Sequence, residues 1–154
     1  MDLSILISVI SALVAIIALI YSVFIQRKLL QKQLTLEAFN ILQTEVLDKL
    51  VFDPKENAQL IVNNLDNPKC ENAYKDYKTL IARLDHFALG VNQHVYNFKI
   101  VNKLAGTHLV CLYKKIEPII TQANKHSYST RCYGNFEELV YKLNKNISKG
   151  KPRK

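Results

Sequence analysis

Residues 3–25 read LSILISVISALVAIIALIYSVFI, a stretch of 23 positions without a charged side chain. As a helix that rises about 1.5 Å per residue, the stretch is about 35 Å long, and the hydrocarbon core of a bilayer is about 30 Å thick. Backbone amides in that core are satisfied only in a helix or a closed barrel. The sequence therefore predicts a transmembrane anchor over residues 1–25.

Two other interpretations of this stretch are a buried core helix and a cleaved signal peptide. A soluble core helix of this length would show a polar face, whereas this one carries only four serines and one tyrosine. A signal peptide would have basic residues ahead of a shorter apolar run, but Asp2 precedes this run, and Arg27 and Lys28 follow it. An uncleaved anchor is expected.

The flanks of the span predict its orientation. Arg27, Lys28 and Lys32 follow it, and the excess of Lys and Arg on the cytoplasmic side of membranes puts the C-terminal part inside. The expectation is a single-pass protein of the cell inner membrane, with its N-terminus outside and its C-terminal domain cytoplasmic. Three cysteines without a C-x-x-C pair fit a reducing compartment.

Small side chains recur along one face of the span in steps of four and three. This oligomer seam consists of Ser4, Ser8, Ser11, Ala15, Ala18 and Ser22. Small residues at this spacing let membrane helices approach closely, so the seam predicts a homo-oligomer through the transmembrane helix. The alternative is that Ser and Ala are simply common in membrane helices.

The register of the seam continues into a predicted juxtamembrane helix over residues 26–52. Its positions are Leu29, Lys32, Leu36, Phe39, Gln43, Val46 and Leu50. This mostly apolar pattern is typical of a left-handed coiled coil, and one helix could extend from Leu3 to about Leu50. The alternative is that Leu36 to Leu50 packs on its own domain.

Residues 53–148 predict a helical domain, because apolar residues recur at helical spacing between turn signals. Asp53 and Pro54 are typical of a helix start, and a long central helix should begin near Pro68 and end near Asn92. Gly106 should cap a short helix that begins at Phe98. The next helix contains Pro118, which should kink it, and a final helix covers residues 136–147. The predicted fold class is all-α: one N-terminal transmembrane helix followed by a small cytosolic helical bundle.

Residues 149–154 form a basic tail in a chain of net charge +8. The residues expected to contact anionic lipid or nucleic acid are Arg27, Lys28, Lys149, Lys151, Arg153 and Lys154. The tail has no interleaved aromatic residue and no helix that could enter a groove, which argues against nucleic acid and leaves the membrane as the expected partner.

The sequence predicts no catalytic residue, no cofactor and no metal site. Phosphate-binding glycine loops, nucleophile elbows and metal-ligand spacing among the histidines are not found. Arg83 and His86 share a helix face, and together with Glu117 they form a candidate polar pocket. Asp85 and His86 are consecutive and point about 100° apart, so helix packing is the better interpretation of that pair.

The segment LDHFALGV at residues 84–91 resembles the central motif of the bacterial and archaeal family called domain of unknown function 4760. Later segments that resemble the family's pattern are a short helix ending in Gly106, then Tyr113, Ile116, Glu117, Pro118 and Ile120, and finally Tyr133, Gly134, Asn135, Phe136, Glu137 and Leu139. The resemblance covers residues 80–143, although this chain lacks the tryptophans that the family often has near Tyr113 and Glu138. It implies a helical domain, frequently behind an N-terminal membrane helix, and it carries over no catalytic residue.

Three function classes remain open from the sequence. The first is a non-enzymatic, membrane-anchored module with a binding, sensing or regulatory role. The proteins that usually accompany the family imply that this role is in phage defence or stress response. The second is a binder of anionic lipid or nucleic acid that works through the basic tail. The third is an enzyme with a site around Arg83, His86 and Glu117.

Overall fold

The computed structural model describes residues 3–50, 54–125 and 131–150, and every element in these ranges is helical. The α-helices are α1 (Leu3–Leu42), α2 (Pro54–Asn63), α3 (Pro68–Asn92), α4 (Phe98–Lys125) and α5 (Gly134–Gly150). A π-helical turn (Gln43–Leu47) and a 3-10 turn (Asp48–Leu50) follow α1 directly. The all-α prediction is confirmed. The predicted cap Asp53 and tail residues 151–154 lie outside the described ranges.

The first half of α1 is the predicted span. Every described side chain from Ser4 to Leu30 is exposed, although most of them are apolar. This long N-terminal helix is apolar enough to cross a membrane. An apolar helix without protein around it is suited to lipid, because hydrocarbon supplies the apolar surroundings that its side chains require.

The second half of α1 is built into the domain. Thr35, Phe39 and Leu42 are buried there, and Val46 and Leu50 in the following turns belong to the same hydrophobic core. The predicted coiled coil is therefore wrong from Phe39 onward, because these apolar side chains pack on the chain's own helices. The alternative interpretation, in which Leu36 to Leu50 packs on its own domain, is confirmed from Phe39 to Leu50, whereas Leu36 is exposed.

α3 and α4 run in opposite directions beside α1, and α3 begins and ends where the sequence predicted. The side chain of Asn67 accepts a hydrogen bond from the backbone N–H of Lys69 at 3.0 Å, and Pro68 occupies the first turn of α3. This arrangement stabilises a helix start and confirms the predicted one. α3 ends at Asn92, as predicted, and the α3–α4 loop (residues 93–97) leads into α4.

The predicted helix end at Gly106 is wrong, because α4 is one helix from Phe98 to Lys125 that continues through Pro118. Gly106 is buried inside it. A Cβ atom at this position would lie 2.6 Å from Oδ1 of Asn102 and 3.6 Å from a methyl carbon of Leu143 on α5. A Cβ would therefore meet the Asn102 side chain of the same helix and make an ordinary contact with Leu143, and the glycine lies inside a continuous helix rather than at a chain reversal.

Candidate functional site

A groove of about 500 Å³ lies between α1 and α3. Arg83 and His86, two of the three predicted pocket residues, line it together, and both are exposed. Nη1 of Arg83 donates to Oε2 of Glu45 in an ion pair. The other lining residues are Ala38, Ile41, Leu42, Val46, Phe87 and Tyr96. The groove thus combines a paired guanidinium and an imidazole with a mainly apolar wall.

Glu117, the third predicted pocket residue, lies in a different place. It lines a groove between α2 and α4, together with Gln59, Lys114 and Pro118. Arg83 and His86 face α1, whereas this part of α4 faces α2, so the predicted three-residue pocket is not assembled. Within the described ranges, no three His, Cys, Asp or Glu side chains come together as a metal site would require.

The carboxylate of Asp85 caps α5, a role that the sequence interpretation missed. Its Oδ1 accepts from the backbone N–H of Phe136 and its Oδ2 from the side-chain amide of Asn135, each at 2.9 Å. The first N–H groups of a helix have no partner inside it, and its N-terminus favours a negative charge. Asp85 therefore satisfies α5 and fastens it to α3.

A second polar bridge joins the same two helices. The side-chain amide of Asn92 donates to the backbone carbonyl of Asn135 at 2.9 Å, and Nζ of Lys142 donates to Oδ1 of Asn92 at 3.0 Å. Lys142 also pairs with Glu138 at 2.6 Å. The only sequence signal for either bridge is that Gly134 and Asn135 stand at a predicted helix start, which identifies a cap but not the partner on α3.

Two tyrosines of the signature segments are held as neutral phenols. The Tyr113 hydroxyl donates to Oε1 of Glu137 at 3.2 Å. Burial, and then the nearby Glu137 carboxylate, raise the pKa of Tyr113 to about 12. Burial also raises the pKa of Tyr133 to about 12, and its hydroxyl donates to the Lys78 carbonyl at 3.4 Å. Both therefore remain hydrogen-bond donors well above neutral pH.

Alkaline pH is expected to destabilise the domain through Tyr113. An unfolded tyrosine loses its proton near pH 10, but the folded one keeps it to about pH 12. The folded state then holds more protons than the unfolded state, so the stability from this tyrosine is complete below pH 10 and is lost as pH rises toward 12. We expect Tyr113→Phe to make the fall in unfolding free energy over this interval shallower, as measured by chemical denaturation.

The matched control is Tyr141→Phe, because the Tyr141 side chain is 68% exposed and also lies on a helix of the domain. It should retain the wild-type pH profile. Identical profiles for Tyr113→Phe and the wild type would contradict the assignment of this pH dependence to Tyr113.

The α3–α4 loop is held from the α3 side by Gly90. The Gly90 carbonyl accepts from the backbone N–H groups of Val95 and Tyr96 at 2.9 and 3.0 Å. The Tyr96 ring stacks on Phe87 with centroids 5.3 Å apart and covers Gly90 so closely that a Cβ there would lie 2.4 Å from Cε2 of the ring. No side chain other than hydrogen fits at this position without displacement of the ring.

The same loop is held from the α1 side by two polar residues. The side-chain amide of Gln31 donates to the His94 carbonyl at 2.6 Å, and the Asn97 backbone N–H donates to Oγ1 of Thr35 at 2.7 Å. Thr35 is fully buried, so its hydroxyl replaces water as the partner of that N–H. α1 is therefore attached to the domain by specific hydrogen bonds as well as by apolar packing.

The predicted lipid-contact and seam residues occupy open surface as far as they are described. Arg27 and Lys28 are exposed directly after the span, with Nζ of Lys28 4.4 Å from the centroid of the Phe24 ring. Lys149 falls in the last turn of α5, and Lys151, Arg153 and Lys154 lie outside the described ranges. The six seam residues are all exposed on α1.

The fold and these contacts define an all-α protein in which a long apolar N-terminal helix is built into a helical domain. A protein-family comparison matches residues 6–143 to the model described as "Domain of unknown function (DUF4760)". The chain belongs to this family, which confirms the resemblance found in the sequence. The match takes in the apolar helix as well as the domain. Comparisons with curated proteins and with solved structures found no match.

Proposed function

We propose that this chain is a single-pass, membrane-anchored helical module that holds its domain at the cytoplasmic face of the inner membrane and acts by binding other molecules. The observation that carries the proposal is the course of α1. Its apolar side chains are exposed up to Leu30, and from Thr35 onward it contributes to the domain core. Such a direct connection keeps the domain at a fixed distance from the bilayer.

The contacts of the family's signature residues also support a binding module. Asp85 caps a helix, Gly90 admits the Tyr96 ring, and Phe136 is buried in the core. These roles hold the helices together. In the groove between α1 and α3, the guanidinium of Arg83 is already paired with Glu45. The motif is thus accounted for by the fold, which favours a binding module over an enzyme with a site around Arg83 and His86.

The orientation is tested with fusions after Lys154. Because Arg27 and Lys28 follow the span directly, a reporter that is active only in the cytoplasm should be active there. A second reporter, active only outside the inner membrane and fused at the same residue, is the control and should be silent. The opposite pattern would overturn the orientation, and a chain found in the soluble fraction would overturn the anchor.

We further propose that the first partner of the module is a second copy of the chain, bound through the seam. Leu29 and Leu36 continue the seam beyond the span and are 58% and 50% exposed. Thr35 and Leu36 are consecutive on α1 and point about 100° apart. Since Thr35 faces the domain, a second helix can approach the Leu36 face without meeting the domain.

Single cysteines test this contact in a chain whose three native cysteines are replaced by serine. Cross-linking should peak at Ser8, Ser11, Ala15, Ala18 and Ser22 and be weak at Ile16 and Ile20 on the other face. Adding bulk with both Ala15→Leu and Ala18→Leu should weaken the dimer about thirtyfold, because such interhelical contacts are worth about 1 kcal/mol each. Ile16→Leu and Ile20→Leu are the volume-conserving controls. A flat cross-linking profile would rule out the seam.

A further inference from the structure

Three segments of the chain converge at the end of the domain that lies nearest to the span. The first is the stretch of α1 that contains Gln31 and Thr35. The second is the α3–α4 loop with the start of α4. This loop lies against α1, because the His94 carbonyl binds Gln31 at 2.6 Å and the Asn97 N–H binds Thr35 at 2.7 Å. The loop therefore lies at the height on α1 where the helix leaves the membrane.

The third segment is the end of α5, which returns antiparallel to α4. Glu137, near the start of α5, binds Tyr113, whereas Leu143, further along, lies against Gly106. This register brings the end of α5 beside the start of α4. A pocket of about 290 Å³ lies where the end of α3, the α3–α4 loop, the start of α4 and α5 meet, and it is lined by Val91, Asn92, His94, Phe98, Lys142, Lys145 and Asn146.

The charge at this end of the domain is of one sign. Residues 26–36, 93–103 and 139–150 contain eight Lys and Arg and no Asp or Glu. The eight are Arg27, Lys28, Lys32, Lys99, Lys103, Lys142, Lys145 and Lys149. Glu37 and Glu138 border these segments, and Glu138 is paired with Lys142. At the far end of the domain, residues 43–50 and 54–76 contain six Asp and Glu and four Lys and Arg.

The basic end is close enough to the bilayer for its charges to interact with the lipid head groups. Gln31 and Thr35 follow Ile25 by six and ten positions, which is about 9 to 15 Å along a helix. The head-group layer extends about 5 to 8 Å beyond the hydrocarbon, and the Debye length at physiological salt is about 8 Å. Val95, at the tip of the α3–α4 loop, is 52% exposed and apolar, as suits a side chain that touches the interface.

We infer that this basic end of the domain is a binding surface for anionic phospholipid head groups. The surface consists of the exposed lysines Lys32, Lys99, Lys103 and Lys145 together with the α3–α4 loop. The inference rests on the proposed membrane anchor and deepens it. It assigns the lipid contact to the folded domain, where the sequence alone suggested the tail and the residues next to the span.

The test uses the full chain in lipid nanodiscs with Val95→Trp as the fluorescent probe, because the natural chain contains no tryptophan. Lipids that carry a nitroxide on the head group quench this tryptophan when the loop is near the surface. We expect about twofold stronger quenching in discs that contain phosphatidylglycerol than in discs of phosphatidylcholine alone. The difference should vanish between about 0.1 M and 1 M salt, where the Debye length falls from about 10 Å to about 3 Å.

The triple variant Lys99→Gln, Lys103→Gln and Lys145→Gln should lower the quenching in anionic discs to the phosphatidylcholine level. The control triple, Lys49→Gln, Lys69→Gln and Lys125→Gln, removes the same charge from other exposed positions of the domain and should behave like the wild type. Quenching that responds to neither lipid charge nor the first triple variant would overturn the inference while leaving the anchor intact. Failure of the chain to enter the discs would instead overturn the anchor.

Discussion

Replacement of Asp85 by Ala is expected to lower the free energy of unfolding by about 3 kcal/mol. The carboxylate accepts hydrogen bonds from the Asn135 side chain and the Phe136 backbone. Its loss removes both bonds and leaves a backbone N–H beside the buried Phe136 ring without its partner. Chemical denaturation of the detergent-solubilised chain, followed by circular dichroism, measures the change.

Asp76→Ala is the control for this prediction, because Asp76 is an exposed aspartate on the same helix. It should change the free energy of unfolding by no more than about 0.5 kcal/mol. Asp85→Asn should fall between the two variants, since an amide can still accept from the Phe136 N–H but cannot accept from Asn135 as a carboxylate does. Equal stability of Asp85→Ala and Asp76→Ala would contradict the capping role.

Gly90→Ala is expected to destabilise the domain by about 2 kcal/mol, as overpacking of a well-packed site does. The added Cβ would lie 2.4 and 2.6 Å from two ring atoms of Tyr96, and that ring is stacked on Phe87. Displacement of the ring disturbs the α3–α4 loop and its contacts with α1. The change is measured by the same denaturation experiment.

A second background separates this clash from any other effect of the glycine. In a Tyr96→Ala chain the ring is gone, so Gly90→Ala should become stabilising by up to about 1 kcal/mol, because alanine favours a helix more than glycine does. Gly134→Ala is the control in the natural chain, since the nearest atom to a Cβ there is 3.9 Å away. An equal loss from Gly90→Ala in both backgrounds would rule out the Tyr96 contact as its cause.

The parts of the fold that sequence reasoning predicted correctly are those set by local chemistry. Residues 3–25 form a long apolar helix because nothing in the stretch interrupts the helix or offers a polar face. The start of α3 followed from Asn67 and Pro68, which act within one turn. Such signals need no knowledge of the rest of the chain.

The errors arose where a distant segment decides the role of a residue. Gly106 looks like a helix end, but α4 continues through it, and the buried glycine lies beside Leu143, 37 positions later. Phe39 continues the spacing of the seam, yet it contacts Phe87 on α3 with ring centroids 6.3 Å apart. Apolar residues at the same helical spacing can pack against a partner chain or in the chain's own core, and only the tertiary structure distinguishes the two.

The candidate site was predicted only in part for the same reason. Arg83 and His86 are three residues apart on one helix, so their shared face could be inferred from spacing. Glu45 pairs with Arg83 across 38 positions, and Asp85 binds Phe136 across 51. No local pattern identifies those partners. Asp85 could be matched to the start of α5 only from the tertiary structure, in which α3 packs on α5.

In the proposed membrane-anchored arrangement, the unbroken course of α1 sets the distance between the bilayer and the α3–α4 loop. One residue added between Ile25 and Gln31 would turn the domain about 100° around the helix axis and move it about 1.5 Å outward. A full turn would restore the angle but lift the loop about 5.4 Å from the membrane. In that arrangement, the length of this short stretch sets both the rotation of the domain about the helix axis and its distance from the membrane. A change in the number of its residues alters at least one of them.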